Sequence, residues 1–293
     1  MPVVTQPLVA GQEAQVEAFL SARAESTVFL RSNLARVGLA PLDRAVPFSG
    51  SWMGAFDGGK LAGVAALFWN HNMVLAAGPH AGFAARSLHE ANPDVPIAGL
   101  LGPWSEVVDA RGALAMADRA TRFLSKEILY TLDLTDLVVP ELLRDETVRV
   151  RAPVPDEIDF LLDWRIAYER EASAVADTPE TRAAARDRLE RFQREGHHFV
   201  CVHGDERVGY TSFNATLPDI VQIGGVFTPK ALRSKGYARC AVAGSLLVAR
   251  TRGVARAILF TGEENPAAQK AYVSLGFRVV GDYGIVFFVA DST

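Results

Sequence analysis

Cysteine is scarce in this chain of 293 residues. The two cysteines, Cys201 and Cys240, do not lie at a spacing typical of a metal site or a redox pair. The adjacent His197 and His198 lack further ligands at a recognisable spacing. We therefore expect two buried, inert thiols, two histidines at the surface or at a strand end, and no bound metal.

Long hydrophobic runs are also missing. No stretch is apolar over the ~18 residues that a membrane-spanning helix needs, and residues 1–20 lack the basic start and apolar core of a signal peptide. The composition, 49% hydrophobic and 22% charged residues, is typical of globular proteins. The net charge of -4 argues against a general nucleic-acid-binding surface, which needs an excess of basic residues. We expect a cytoplasmic protein without membrane or nucleic-acid partners.

Three motifs of common enzyme classes do not occur. The sequence contains no G-x-G-x-x-G, no G-x-x-x-x-G-K-[ST] and no G-x-S-x-G. Dehydrogenase, P-loop NTPase and α/β-hydrolase functions therefore have no sequence signal to support them.

Acidic residues are absent between Ile220 and Leu259. The same stretch contains a cluster of basic side chains, namely Lys230, Arg233, Lys235, Arg239, Arg250, Arg252 and Arg256. In a chain whose net charge is negative, this local excess of positive charge favours the binding of a small polyanion.

The pattern of this stretch predicts a strand, a turn and a helix. Residues 220–227 are apolar and β-branched, and Pro229 cannot continue a strand because it has no N–H. Small residues then recur at helical spacing, which predicts a helix that begins near Tyr237. The start of a helix has unpaired N–H groups and a positive dipole end, and Gly236 lets the backbone approach a ligand closely. We therefore expect an anion-binding turn at residues 233–238.

Two spacings resemble signatures of the GNAT acyltransferase superfamily. Arg233-x-x-Gly236-x-Ala238 resembles R/Q-x-x-G-x-G/A, and residues 265–277 resemble N-x-x-A-x-x-x-Y-x-x-x-G-F. The resemblance, which extends to glycine N-acyltransferase-like members, implies that this region binds acetyl-CoA. The cofactor-binding residues that it implies are Val226, Phe227, Thr228, Arg233, Ser234, Lys235, Gly236, Tyr237, Ala238, Asn265 and Ala268. A basic solvated turn, with Asn265 only as a helix cap and Tyr272 only as a core aromatic, remains the alternative.

The chemistry that the resemblance implies is transfer of an acetyl or short acyl group from CoA to a primary amine in a ternary complex. Tyr272 matches the family's general acid, since a phenol can donate a proton to the leaving thiolate. The base is less evident, because the strand before the turn holds Val221 and Gln222 where some family members have a glutamate. Glu171, with Glu169 beside it, is the candidate. The alternative function is a catalytically silent acyl-CoA-binding regulatory module.

The fold that we expect is α+β, a GNAT-type mixed, mostly antiparallel twisted sheet flanked by helices, in two related halves. Residues 1–145 would form a degenerate GNAT-like domain and residues 146–293 the N-acetyltransferase domain. A hairpin at Gly58 and Gly63 corresponds to one at Gly204 and Gly209 when the halves are aligned. The first half lacks the glycine turn, so we expect it not to bind CoA. The sequence also leaves a homodimer open.

One element of the first half has a helical pattern. Residues 109–123 carry apolar side chains at a spacing that predicts a helix.

Overall fold

The computed structural model of the chain describes residues 2–173 and 175–289. The strands in chain order are β1 (Val4–Pro7), β2 (Gly50–Asp57), β3 (Lys60–Phe68), β4 (Asn72–Ala76), β5 (Gly99–Gly102), β6 (Thr121–Asp133), β7 (Val148–Arg151), β8 (His198–His203), β9 (Glu206–Thr216), β10 (Ile220–Phe227), β11 (Arg256–Gly262) and β12 (Arg278–Phe288). The α-helices are α1 (Glu13–Ser21), α2 (Ala24–Val37), α3 (Ala81–Glu90), α4 (Trp104–Ala113), α5 (Glu141–Arg144), α6 (Ile158–Ser173), α7 (Pro179–Glu195), α8 (Tyr237–Thr251) and α9 (Pro266–Val273).

The chain forms two compact units. Unit 1 comprises residues 1–129 and 280–293, and unit 2 comprises residues 130–279. The chain therefore passes from one unit to the other within β6 and within β12. The predicted domains, 1–145 and 146–293, are consecutive halves of the sequence. The compact units are defined by contacts in space and have different bounds, so the predicted domains stay a prediction.

Unit 1 contains a mostly antiparallel sheet in the order β1-β2-β3-β4-β5-β12. Neighbouring strands are antiparallel except β4 and β5, which are parallel. Helices α1 and α2 pack on one face of this sheet through Val16, Leu20 and Leu30. Helices α3 and α4 pack on the other face through Leu88 and Val107. The turn between β2 and β3 has positive φ at both of its glycines, as a tight hairpin requires.

Unit 2 repeats this arrangement in the order β11-β10-β9-β8-β7. The pairs from β7 to β10 are antiparallel, and β10 and β11 are parallel. Helices α6 and α7 pack on one face through Leu161 and Leu189, and α8 packs on the other through Cys240 and Ala241. Both cysteines are free and buried, which confirms the expectation for the thiols.

The two halves of the sequence have the same order of elements. The series β1-α1-α2-β2-β3-β4-α3-β5-α4 corresponds, element by element, to β7-α6-α7-β8-β9-β10-α8-β11-α9. The expected α+β class, a mostly antiparallel sheet flanked by helices in two halves with the same order of elements, is thereby confirmed.

The helix predicted for residues 109–123 is wrong in its extent. Helix α4 ends at Ala113, Ala115 has a positive φ of 54°, and β6 begins at Thr121. A left-handed residue cannot continue an α-helix. Residues 121–123, the last part of the predicted helix, instead begin β6, where pairing with neighbouring strands outweighs the local helical pattern.

Candidate functional site

The parallel strands β10 and β11 separate part of the way along their length. Their pairing begins at Ile220 with Arg256 and ends at Gln222 with Ile258. Strand β10 continues to Phe227 and β11 to Gly262, so one edge of each strand is left without its partner over these residues. The peptide groups along this edge of β10 are able to hydrogen-bond an extended ligand that carries amides.

An irregularity in β10 lies beside this opening. The pairing of β10 with β9 shifts between Gly224 and Phe227, and Gly225 has a φ of 62°. A Cβ atom at Gly225 would stand 3.0 Å from Ser212 Oγ and 3.1 Å from Arg165 Nη1. Both the left-handed backbone and the crowding favour glycine here.

The turn after β10 leads directly into the start of α8, as predicted. Gly236 is the N-cap residue with a φ of 85°, and Ser234 also has a positive φ, 64°. The first bond of the helix runs from Cys240 N to Gly236 O, 3.1 Å. The amides of Tyr237, Ala238 and Arg239 precede that bond and have no acceptor in the helix. Successive N–H groups at such a turn suit an anion.

The basic side chains of the turn are in part engaged by the chain itself. Arg233 Nη2 lies 2.6 Å from Glu171 Oε2, and Lys230 Nζ lies 3.8 Å from Glu171 Oε1. Arg233 Nε also donates to the carbonyl oxygen of Thr228 at 3.0 Å. The candidate base Glu171 therefore lies at the turn, with both carboxylate oxygens facing cations. Lys235 is exposed, and no contact of its side chain is seen among the described residues.

The other predicted cofactor residues differ in which of their atoms are buried and which could face a ligand. The Tyr237 ring packs in the core, and its hydroxyl lies 2.9 Å from His203 Nδ1, so its backbone amide is the part that faces a ligand at the helix start. Phe227 packs on Trp164 at a centroid distance of 5.8 Å. Thr228 is buried, and its Oγ1 has no hydrogen-bond partner among the described residues. Val226 is half-buried on β10.

Helix α9 begins as its sequence predicts. Asn265 Oδ1 accepts a hydrogen bond from Ala268 N at 3.1 Å, and Pro266 takes the first helical position. Tyr272 is 9% exposed and lies between two aromatic rings, Tyr130 at 6.4 Å and Phe277 at 6.1 Å. Helix α9 also contacts α8, the helix whose start carries the turn.

His198 is the first residue of β8, as expected for a strand-end histidine, but it does not lie at the surface. It is 1% exposed, and burial lowers its pKa to about 4, so the ring is neutral at physiological pH. Gln193 Nε2 donates to the carbonyl oxygen of Pro153, which leaves Gln193 Oε1 to accept from His198 Nε2 at 2.8 Å. His198 Nδ1 then accepts from the Tyr210 hydroxyl at 3.3 Å.

Glu169 takes part in a partly buried charge cluster that sequence reasoning missed. Arg165 Nε donates to Glu169 Oε1 at 2.6 Å, and Arg188 Nη1 lies 3.5 Å from the same oxygen. The i, i+4 spacing of Arg165 and Glu169 on α6 was the one signal in the sequence. That signal is also typical of exposed helix faces, so it did not reveal the burial.

The corresponding place in unit 1 is filled by carboxylates of the chain. Glu106 Oε2 accepts from Ala77 N at 2.6 Å, and Asp109 Oδ2 accepts from Gly82 N at 2.7 Å. These amides lie at the end of β4 and the start of α3, where unit 2 has its glycine turn. Burial raises the pKa of Glu106 above its ordinary value. An anionic ligand would therefore compete there with two side chains that already act as acceptors.

The described part of the chain has neither a metal-binding cluster nor a membrane-spanning helix. Among residues 2–173 and 175–289, no three His, Cys, Asp or Glu side chains lie together in a way that suits a metal ion. None of the helices within those ranges has the length and apolar character needed to span a bilayer.

Comparisons with known proteins show what the chain is similar to. Residues 158–277 match the family model described as the acetyltransferase (GNAT) family. A comparison with curated proteins finds no match. A tandem GNAT protein from the clavulanic acid biosynthesis pathway is similar over 100% of both chains, with 17% identity and a TM-score of 0.57.

Two other solved structures extend this likeness. A Drosophila protein is similar over 99% of this chain and 100% of its own, with 11% identity and a TM-score of 0.68. A GCN5-related N-acetyltransferase from Kribbella flavida is similar over 93% of this chain and 96% of its own, with 15% identity and a TM-score of 0.58. At such identities the likeness shows the fold alone. The chain therefore has the fold of a tandem GNAT protein, as expected, and its residues 158–277 match the model of the acetyltransferase (GNAT) family.

Proposed function

We propose that unit 2 transfers an acetyl or short acyl group from CoA to the primary amine of a small molecule or peptide. GNAT proteins are in general acetyl-CoA-dependent N-acetyltransferases. The observation that carries the proposal for this chain is the open edge of β10 leading into the uncapped start of α8. One continuous segment thus offers peptide groups for an amide-containing arm and N–H groups for a pyrophosphate.

The fit to acetyl-CoA assigns parts of this segment to parts of the co-substrate. Backbone groups of Val226, Phe227 and Thr228 would pair with the pantetheine arm and stabilise the thioester oxygen. The turn from Arg233 to Ala238 would receive the pyrophosphate through its amides. Lys235 would add a mobile positive charge, because it is exposed beside the turn. Asn265 and Ala268 would complete the cofactor site at the start of α9.

Tyr272 is the proposed general acid. Its aromatic neighbours fix the ring, and its phenol would donate a proton to the sulfur of the leaving CoA. The amine itself must be neutral when it attacks, although an alkyl ammonium titrates near ~10.4. A base on the protein or bulk water has to remove that proton.

Glu171 is the proposed base, and its ion pairs place a condition on that role. Both of its oxygens face cations of the turn, so Glu171 accepts a proton only after Arg233 moves to another anion. The pyrophosphate of CoA is such an anion. Binding of the co-substrate would thus release the carboxylate that serves the acceptor.

Turnover is the experiment that tests the proposed function. The purified protein is mixed with acetyl-CoA and a panel of primary amines, and release of the free thiol is followed. We expect at least one amine to give CoA release together with an acetylated amine detected by mass spectrometry.

The catalytically silent module is the second candidate, favoured by the amide of Gln222 where some family members have a carboxylate. Tight binding of acetyl-CoA by calorimetry, with no product from any amine of the panel, would establish that module and reject the enzyme.

A further inference from the structure

Arg165 is a buried cation with hydrogen-bond capacity to spare. Its side chain is 6% exposed, and its only hydrogen bond to a described residue is the one from Nε to Glu169. Nη1 is buried and has no acceptor within the described ranges. A buried donor that lacks an acceptor destabilises the folded protein, so such a group is expected where a ligand supplies the acceptor.

The charges around Arg165 do not balance. Arg188 lies close enough that the Arg165 charge lowers the pKa of Arg188 below its ordinary value. Glu169 is the one carboxylate that both guanidinium groups contact. Two cations and one anion leave an excess positive charge, which an anionic ligand would neutralise.

The cluster has both a route to solvent and a position next to the proposed reaction site. The Arg188 side chain is 43% exposed, so the cluster reaches the surface at α7. On its inner side, Arg165 Nη1 faces the irregularity of β10 at Gly225, one residue before the backbone that we assign to the thioester. Tyr168 lies beneath the guanidinium, 5.3 Å from ring centroid to Cζ, and forms an aromatic wall.

We propose that Arg165 and Arg188 form a subsite for a carboxylate of the acceptor, so that the acceptors of this protein are primary amines that also carry a carboxylate. The inference rests on the proposed function, whose acceptor class it specifies. The planar guanidinium binds a planar carboxylate through two parallel N–H bonds. Arg165 has its Nη donors available for that geometry, whereas its Nε is held by Glu169.

The test uses pairs of amines that differ only in an acidic group. L-Lysine is compared with cadaverine, 4-aminobutyrate with butylamine, and phosphoethanolamine with ethanolamine, each with acetyl-CoA. For the carboxylate pairs we expect kcat/KM to be roughly 10-fold to 100-fold higher for the acid, the range of a charged hydrogen bond. In Arg165→Met and Arg188→Met the ratio should fall close to one, and Arg165→Lys should keep part of it.

Arg186→Met is the matched control. Arg186 lies on α7, the same helix as Arg188, its side chain is 42% exposed, and it pairs with Asp159 and not with the cluster. This variant should keep the wild-type ratio. Circular dichroism and CoA affinity check that each variant is folded. If Arg165→Met does not fold, the ratio measured in Arg188→Met decides the test.

The possible outcomes separate this inference from the proposed function. Three results would overturn the carboxylate subsite while acyl transfer stands. They are a ratio near one in the wild type, a ratio that survives both substitutions, and an Arg165-dependent preference for phosphoethanolamine that the carboxylate pairs do not share. If no amine reacts, calorimetry of 4-aminobutyrate and butylamine with the CoA-bound protein decides. Arg165-dependent binding of the acid alone would support the subsite although the proposed reaction has failed, and equal binding of both would reject it.

Discussion

Tyr272 shows how much of a residue's role depends on its immediate surroundings. Its ring is held edge-on by Tyr130 and Phe277, and only 9% of the residue is exposed. A ring held in this way places its hydroxyl with little conformational freedom, which a proton donor needs. The same packing would also suit a purely structural aromatic, so substitution has to separate the two roles.

We expect Tyr272→Phe to lower kcat by roughly 10²-fold or more, the usual size of an acid–base contribution. Affinity for CoA should change little, because the ring and its packing remain. The loss should shrink with an acyl donor whose leaving thiol is more acidic. Steady-state and single-turnover kinetics measure these effects.

Tyr130→Phe is the control for this substitution, since it removes the hydroxyl of the neighbouring buried ring. Its kcat should equal that of the wild type. Equal kcat for Tyr272→Phe, with chemistry shown to limit the rate, would make Tyr272 a packing residue and leave solvent to protonate the thiolate.

At the scale of elements, α8 has a left-handed glycine at each end. Gly236 precedes the first turn with a φ of 85°, and Gly253 follows the last with a φ of 88°. A side chain at either position meets similar backbone strain, of about 1–2 kcal/mol. Only Gly236 lies where the free amides converge.

Gly236→Asp should weaken binding of CoA by at least about tenfold, because a carboxylate at the helix start removes an interaction worth about 1–2 kcal/mol. The new Cβ would stand 3.3 Å from the flexible end of Arg239, so the substitution should not block folding. Isothermal calorimetry measures the affinity.

Gly253→Asp serves as the comparison, since a Cβ there meets nothing within 4 Å. It should destabilise the protein to a similar degree and keep the affinity for CoA. Unchanged affinity in a folded Gly236→Asp protein would show that the pyrophosphate does not bind at this turn.

At the scale of the whole molecule, the two halves share the same order of elements but differ at the start of the corresponding helices α3 and α8. Unit 1 has Glu106 and Asp109 as acceptors of the amides near α3. Unit 2 has a basic turn with amides that no helical acceptor takes. Repetition of the fold therefore does not imply repetition of the ligand site.

We expect one CoA per chain. Native mass spectrometry of the wild type should show a single bound CoA at saturation, and below saturation the bound fraction should be much smaller in Gly236→Asp. Two molecules per wild-type chain, or one that persists undiminished in Gly236→Asp, would place a CoA site in unit 1 and reject the view that its own carboxylates fill the site.

The sequence alone determined the features that depend on near neighbours. The end of β10 before Pro229, the start of α8 at Tyr237 and the Asn265 cap of α9 all lie where the sequence predicts them. Each follows from backbone chemistry within a few residues: a missing N–H, a glycine conformation, or a side-chain oxygen that reaches a nearby amide. The two GNAT signatures are composed of such features, which is why the fold and the match to the GNAT family model could be predicted.

Only the tertiary structure decided which residues meet across the chain. It brought Glu171 into contact with Arg233, 62 residues away in sequence, and Glu106 into a hydrogen bond with the amide of Ala77, 29 residues away. It also buried His198, and it joined Arg188 of α7 to Arg165 and Glu169 of α6. Burial and long-range pairing depend on how helices pack on the sheet, and no local pattern carries that information. The extent of α4 shows the same limit, because the helix ends before the left-handed Ala115 and residues 121–123 pair in a strand instead.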